Sequence, residues 1–160
     1  MYKRILVALD GSDTSRLALE SAVQLAKDLG SRLRIIHVVE EMAYAASYDS
    51  LAGYTVDVIE ILRQNGAKLL QEGIALGKAA GVETDQQLYD TMGQRLAETV
   101  ADAASEWQAD LIVVGTHGRH GMGRVVMGSG AEQIIRLAPV PVLVVRSGGP
   151  PRATRPPASP

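Results

Sequence analysis

Leu111-Ile112-Val113-Val114-Gly115-Thr116-His117-Gly118, then nine residues, then Gly128-Ser129 and Ala131-Glu132-Gln133-Ile134-Ile135-Arg136-Leu137, is the stretch that decides the fold. Its first four residues are apolar without interruption, as in a strand covered on both faces of a sheet. Its last seven read as a helix. A strand that empties through glycines into a helix N-terminus is a place where an anion can sit. The first N–H groups of a helix lack intrahelical partners, and the helix dipole favours negative charge there. Glycine lets the backbone come close to such a ligand. Phosphate binding is the first functional expectation; a glycine-rich connection that binds nothing is the alternative.

Similar apolar runs occur at Ile5–Leu9, Leu33–Val39 and Val140–Val145, with a weaker strand at Glu83–Tyr89. Segments of helical period lie between them. Leu17, Ala18, Ser21, Ala22, Leu25 and Leu29 repeat at three and four residues, with Asp13 or Thr14 as N-cap and Gly30 in the C′ position. Val56–Ala80 is a longer helix carrying Ile59, Leu62, Leu69, Leu70 and Leu76, and Gly66, Gly73 and Gly77 weaken it. Leu96, Val100, Ala103 and Trp107 form another apolar stripe. Strands alternating with helices predict right-handed βαβ units. The expected fold is α/β: an open parallel sheet of five strands with four helices, placed on both faces.

This domain is expected to fill residues 1–146. Ser147–Pro160, with five prolines and two glycines, is expected to be a disordered tail. Glu40–Tyr54, which carries Tyr44, Tyr48 and Tyr54, follows the second strand and is either a cover over a ligand or a plain surface loop.

Composition narrows the function. At 160 residues, with 46% hydrophobic and 21% charged, the chain can bury one self-sufficient core. A net charge of −2 and a pI near 5.9 argue against general affinity for nucleic acid. The absence of cysteine excludes disulfides, thiolate metal sites and cysteine nucleophiles. No run approaches the roughly 18 apolar residues of a membrane span, and no signal-type run precedes the first strand. A cytoplasmic protein without membrane contact is expected.

The G-x2-G-x9-G-S/T spacing does not stand alone. Ile5-Leu6-Val7-Ala8-Leu9-Asp10-Gly11-Ser12 comes before it, His37-Val38-Val39 follows the second strand, and Pro139-Val140-Pro141-Val142-Leu143-Val144-Val145 closes the pattern. These landmarks, in this order from Lys3 to about Arg146, resemble the universal stress protein family and its ATP-binding subgroup. The resemblance implies a strand order of 3-2-1-4-5. In such sheets ligands bind beyond the strand ends where the order reverses, between the first and fourth strands. Asp10 and Gly115 stand at those two ends.

The resemblance also assigns roles. Asp10 would lie at the nucleotide, accepting from a ribose hydroxyl or helping to hold Mg²⁺ beside the phosphates; capping its own loop is the alternative. Ala8 and Leu9 match the small residues that precede it, although the apolar Leu9 leaves only its backbone to bond a ligand. Val38 stands where the family contacts adenine, with a core role as the alternative. Val114, Gly115, His117, Gly118, Gly128 and Ser129 match the phosphate and ribose loop, and Ser129 can both cap the helix and donate to a phosphate. Gly130 and Ala131 stand where binders often place Val and a small hydroxyl residue. Losing that hydroxyl would remove one contact worth about 0.5–1.5 kcal/mol. Arg119, His120 and Arg124 could add positive charge to the anion site or form a solvated basic loop. His37 reads as a structural histidine.

Equally informative are the patterns the chain lacks. There is no G-x4-G-K-S/T P-loop, no G-x-S-x-G elbow and no H-E-x-x-H pair. No residue presents itself as a general base or as any other catalytic group. The leading expectation is a module that binds ATP (or AMP or ADP), with Mg²⁺ through Asp10, and acts in stress-response regulation. A dimeric scaffold that binds no nucleotide is the alternative, and a slow ATP hydrolase is the least favoured reading. Val140–Val145 would be an apolar edge strand, tolerant of Pro139 and Pro141, and in the family that strand pairs two copies across a dimer axis. A homodimer through it is expected.

Overall fold

The computed structural model describes residues 1–39, 55–90, 93–116 and 128–148, with the backbone alone at 55–58. Strands and helices alternate through them: β1 (Arg4–Leu9), α1 (Asp13–Leu29), β2 (Arg32–Val38), α2 (Thr55–Ala79), β3 (Thr84–Tyr89), α3 (Leu96–Glu106), β4 (Leu111–Gly115), α4 (Ser129–Leu137) and β5 (Val142–Val145). The five strands form one sheet in the order β3-β2-β1-β4-β5, and every pairing is parallel. This is the expected architecture. Among the described residues no helix is long and apolar enough to cross a membrane.

The uninterrupted apolar strands follow from two cores, one on each face of the sheet. Ile5, Val7, Leu9, Leu33, Ile35, Leu111 and Val113 meet α1 and α2 on one face. Leu6, Ile36, Val38, Ile112 and Val114 meet α3 and α4 on the other. Alternate residues of β1 and β4 therefore point into different cores, and neither set is polar along Ile5–Leu9 or Leu111–Val114.

Ser12, rather than Asp13 or Thr14, caps α1: its Oγ accepts from the Ser15 N–H at 3.1 Å, and Asp13 and Thr14 are already helical. Gly30 ends the helix in the left-handed conformation, φ 65°, as expected. The buried stripe is Ala18, Leu19, Ala22, Val23 and Ala26, while Leu17 and Leu29 are 36% and 39% exposed. Leucine spacing thus located the helix but misplaced its inner face by a fraction of a turn.

The glycines of α2 are its contact face rather than its weakness. A Cβ on Gly66 would lie 2.5 Å from His37 Cδ2, and one on Gly73 would lie 2.7 Å from Ile35 Cδ1. A Cβ on Gly77 would collide with Thr84 Oγ1. Only hydrogen at these three positions lets α2 lie directly on β2 and β3. Close packing over the helix offsets a propensity cost of about 1 kcal/mol per glycine.

The two sheet edges differ. β3 exposes Gln86 and Gln87, whereas β5 exposes Leu143 to 40%. The last strand begins at Val142 rather than Val140. Pro139 and Pro141 have no N–H to give a ladder, and Pro141 instead accepts from the Ile112 N–H at 3.0 Å.

Candidate functional site

β1 and β4 are neighbours, and here the order of connection reverses: α1 and α2 cover one face of the sheet, α3 and α4 the other. Val7 pairs with Val113, so Leu9 and Gly115 end the two strands at one level. The crevice beyond them is where the topology places a ligand.

Asp10 is exposed at this edge, and its Oδ1 accepts from the Ser12 N–H at 2.8 Å. Gly11 takes φ +81° to make the turn. Asp10 therefore does shape its own loop, yet a carboxylate with about four lone-pair sites keeps capacity for a ligand. Leu9 offers its carbonyl, which accepts from His37 Nδ1 at 2.8 Å and ties the ends of β1 and β2 together. That bond bears out the structural reading of His37.

Two helices point their N-termini toward this edge, and they are finished differently. Ser12 closes α1 with a side-chain cap. At α4 the cap position is held by Gly128, which has no side chain to bond into the first turn. Ser129, expected as the cap, is instead the first helical residue and is exposed. The leading N–H groups of α4, from Ser129 onward, carry the positive end of the helix dipole, and the cap residue itself does not satisfy them. Gly130 sits close to Leu96, where an added Cβ would be 3.2 Å from Leu96 Cδ2. Ala131 is 5% exposed and belongs to the α3/α4 core.

Gly115 has a second reason to be glycine. A Cβ there would run into the Thr14 carbonyl and lie 2.7 Å from Ser15 N, because the first turn of α1 crosses the end of β4 at backbone contact. Val38 and Val114 are buried in the α3/α4 core, with Ala8 partly buried against it. What Val38 and Val114 can present to a ligand is therefore backbone. Thr116 is buried and donates its N–H to the Val145 carbonyl at 2.9 Å. His117, Gly118, Arg119, His120 and Arg124 lie outside the described residues, as do 40–54 and 149–160.

The model of the family described as "Universal stress protein family" matches residues 1–146. The chain belongs to the universal stress protein family. A universal stress protein of Methanocaldococcus jannaschii is 31% identical over 146 residues, covering 91% of this chain and 83% of the relative. The crystal structure of a family member from Burkholderia pseudomallei is 34% identical with a TM-score of 0.73, covering 90% of this chain and 96% of that one. Two more distant structures carry ligands. One is an Archaeoglobus fulgidus universal stress protein in complex with dAMP (22% identity, TM-score 0.63, coverage 90% and 98%). The other is a universal stress protein in complex with cAMP (23%, 0.60, 90% and 96%).

This universal stress protein also has a cleft that its sequence did not announce. It is a shallow, open depression of about 300 Å³ between the ends of β1 and β2 and helix α2. Asp10, Gly11 and His37 form one side; Leu62, Asn65, Lys68, Leu69 and Glu72 of α2 form the other. No local signal could have found the α2 residues, since only the fold brings them beside Asp10. Among the described residues no cluster of three or more histidines and carboxylates could hold a metal ion. A divalent ion at this edge would need a ligand's phosphates as well as Asp10.

Proposed function

We propose that this chain is a cytoplasmic, stress-responsive regulatory module that binds an adenine nucleotide, ATP or its AMP or ADP products, and whose occupancy alters its contacts. The observation that carries this reading is the contrast between the two helix N-termini at one sheet edge. α1 is closed by Ser12, while α4 opens through Gly128 with no side-chain cap. Phosphate oxygens would supply acceptors to the first turn of α4, which its cap residue does not. Gly115, His117, Gly118, Arg119, Gly128, Ser129, Gly130 and Ala131 would surround them, and Asp10 would take the ribose or a Mg²⁺ bridging to the phosphates. Ala8, Leu9, Val38 and Val114 would line the approach, Leu9, Val38 and Val114 through their backbone. The dAMP and cAMP complexes of the two distant relatives support adenine as the base.

Calorimetry with ATP and Mg²⁺, on protein freed of bound ligand by unfolding and refolding, tests this. Micromolar binding in the wild type, lost in Gly118→Val, is the expected result. No binding in the wild type would leave the second reading, a dimeric scaffold without nucleotide. The apolar β5 edge favours dimerisation under either reading, because Leu143 is exposed on a strand with one open side.

A further inference from the structure

We infer that the groove between α1 and α2 is a docking site for the chain's own proline-rich C-terminal segment, residues 149–160, seated through Arg152 and Arg155. The docking would need no nucleotide, since neither α4 nor the glycine loop takes part in it.

The groove runs along α1 from Ser12 to Glu20 and along α2 from Leu69 to Leu76. At about 1.5 Å per residue it is a strip about 10–12 Å long. Its volume of about 250 Å³ lies below the roughly 300–1,000 Å³ of pockets for compact ligands. Leu9, Leu19 and Leu69 line it with apolar surface, and Leu76 leaves 39% of its surface in water. Asp13, Glu20 and Glu72 stand along it, against Arg16 as the one cation among the described lining residues. Arg16 already reaches Glu20 at 3.7 Å, whereas Asp13 and Glu72 are exposed and make no ion pair with a described residue. An apolar strip with spare negative charge calls for a cationic, partly apolar occupant.

The chain leaves the sheet within reach of that strip. Val145 ends β5 beside Gly115, one strand spacing of about 4.8 Å away. Gly115 in turn lies in backbone contact with Thr14 and Ser15, in the first turn of α1. The described chain therefore stops, at Gly148, beyond the same sheet edge from which α1 and the groove start. Residues 149–160, at about 3.1 Å each when extended, cover about 37 Å, enough to pass the start of α1 and follow the groove to its end.

The segment's sequence supplies the matching chemistry. Arg152 and Arg155 are its cations, and it carries no carboxylate side chain. In a polyproline II conformation residues three apart share a face, about 9 Å from one another. Asp13 and Glu20, seven residues apart on α1, also share a face, about 10 Å from one another. Arg152 would thus meet Asp13 while Arg155 meets Glu20 and Glu72 across the groove. Pro150, Pro151, Pro156 and Pro157 have no N–H to leave unpaired against the leucines, and their fixed φ lowers the entropy lost on docking.

The chain has no cysteine, so Ala158→Cys gives the full-length protein a single point for a nitroxide spin label. Without nucleotide, the amide signals of Asp13–Glu20 and Leu69–Leu76 should lose intensity to that label. Arg152→Glu together with Arg155→Glu should return them to full intensity, and adding Glu20→Arg and Glu72→Arg should bring the loss back. Glu20 and Glu72 are exposed and outside both cores, so the reversal leaves the fold intact. Raising salt from about 0.1 M to about 1 M, which shortens the Debye length from about 10 Å to about 3 Å, should weaken the loss. Full intensity along both helices in the labelled protein, or a loss that survives reversal of the two arginines, overturns the docking. The same loss in unlabelled ¹⁵N protein mixed with an excess of labelled ¹⁴N protein would put the segment on a second copy, and overturns its assignment to its own chain.

Discussion

Gly115→Ala should destabilise the protein with no nucleotide present, because its first cost is packing. The added methyl would lie 2.7 Å from Ser15 N and closer still to the Thr14 carbonyl, whereas ordinary contact begins at 3.4 Å. The gap must therefore open by roughly 0.7 Å at Ser15 and by more at Thr14. Nothing flexible stands in the way to yield. The obstacle is backbone, in a helical turn capped by Ser12 and with Thr14 and Ser15 each 4% exposed. α1 must move as a body, loosening Ala18 and Ala22 in the core it shares with β1 and β4. Overpacking of this kind costs about 1–3 kcal/mol, and a backbone obstacle puts Gly115→Ala near about 3.

Urea unfolding followed by the fluorescence of Trp107 measures it, since this is the sole tryptophan and is 7% exposed. With a slope of about 1–3 kcal/mol per molar urea, the midpoint should fall by about 1–3 M. Gly11→Ala is the control: it has open space but φ +81°, so its cost is the left-handed penalty alone, about 1–2 kcal/mol. A Gly115→Ala protein within 0.5 kcal/mol of wild type, or more stable than Gly11→Ala, would refute the close approach of α1 to β4 as the reason for glycine.

Two further outcomes are expected. Leu143→Arg puts a charge on the exposed β5 edge, so sedimentation should find dimers in the wild type and monomers in the variant, with the unfolding midpoint little changed; a monomeric wild type or a dimeric variant would refute pairing through β5. Burial first, then the charges of Glu106 and Asp85, push the Tyr89 phenol above its ordinary value, with Arg34 opposing them. The stability linked to the neutral phenol is complete below the unfolded value of about 10 and is lost as pH rises through the folded one. Urea midpoints at pH 8 and pH 11 should therefore fall less in Tyr89→Phe than in wild type, and an equal fall would remove Tyr89 from the alkaline response.

Much of the fold was legible locally. β1 and β4 are buried on both faces, so each had to be apolar at almost every position, and that pattern needs no partner to be seen. Gly30 was legible for a similar reason, since a left-handed C-terminal residue is a local requirement. The N-cap of α1 was harder to place. Ser12, Asp13 and Thr14 are all capable caps, and the choice fell to whichever residue stays extended as the chain leaves the Asp10 turn. Glycines were misread in α2, where their effect on an isolated helix is visible in sequence and their contact with β2 and β3 is not.

The candidate site divides along the same line. Asp10, Gly115 and the Gly128-Ser129 helix start could be named from sequence because strand ends and helix starts are punctuated by their own residues. Leu62, Asn65, Lys68 and Leu69 could not, since on α2 they look like any amphipathic face.

The sequence by itself determined the alternation of strands and helices, the two-faced burial of the sheet, and a glycine-opened helix start able to take an anion. Those features rest on interactions within a few residues of chain. The tertiary structure alone decided that Gly66, Gly73, Gly77 and Gly115 are points of backbone approach, and that Val38 and Ala131 belong to the core. It also decided that His37 joins Asp10 and α2 around one cleft. Each of these depends on which distant segment is packed against which, and that is settled by burying two cores at once on one twisted sheet.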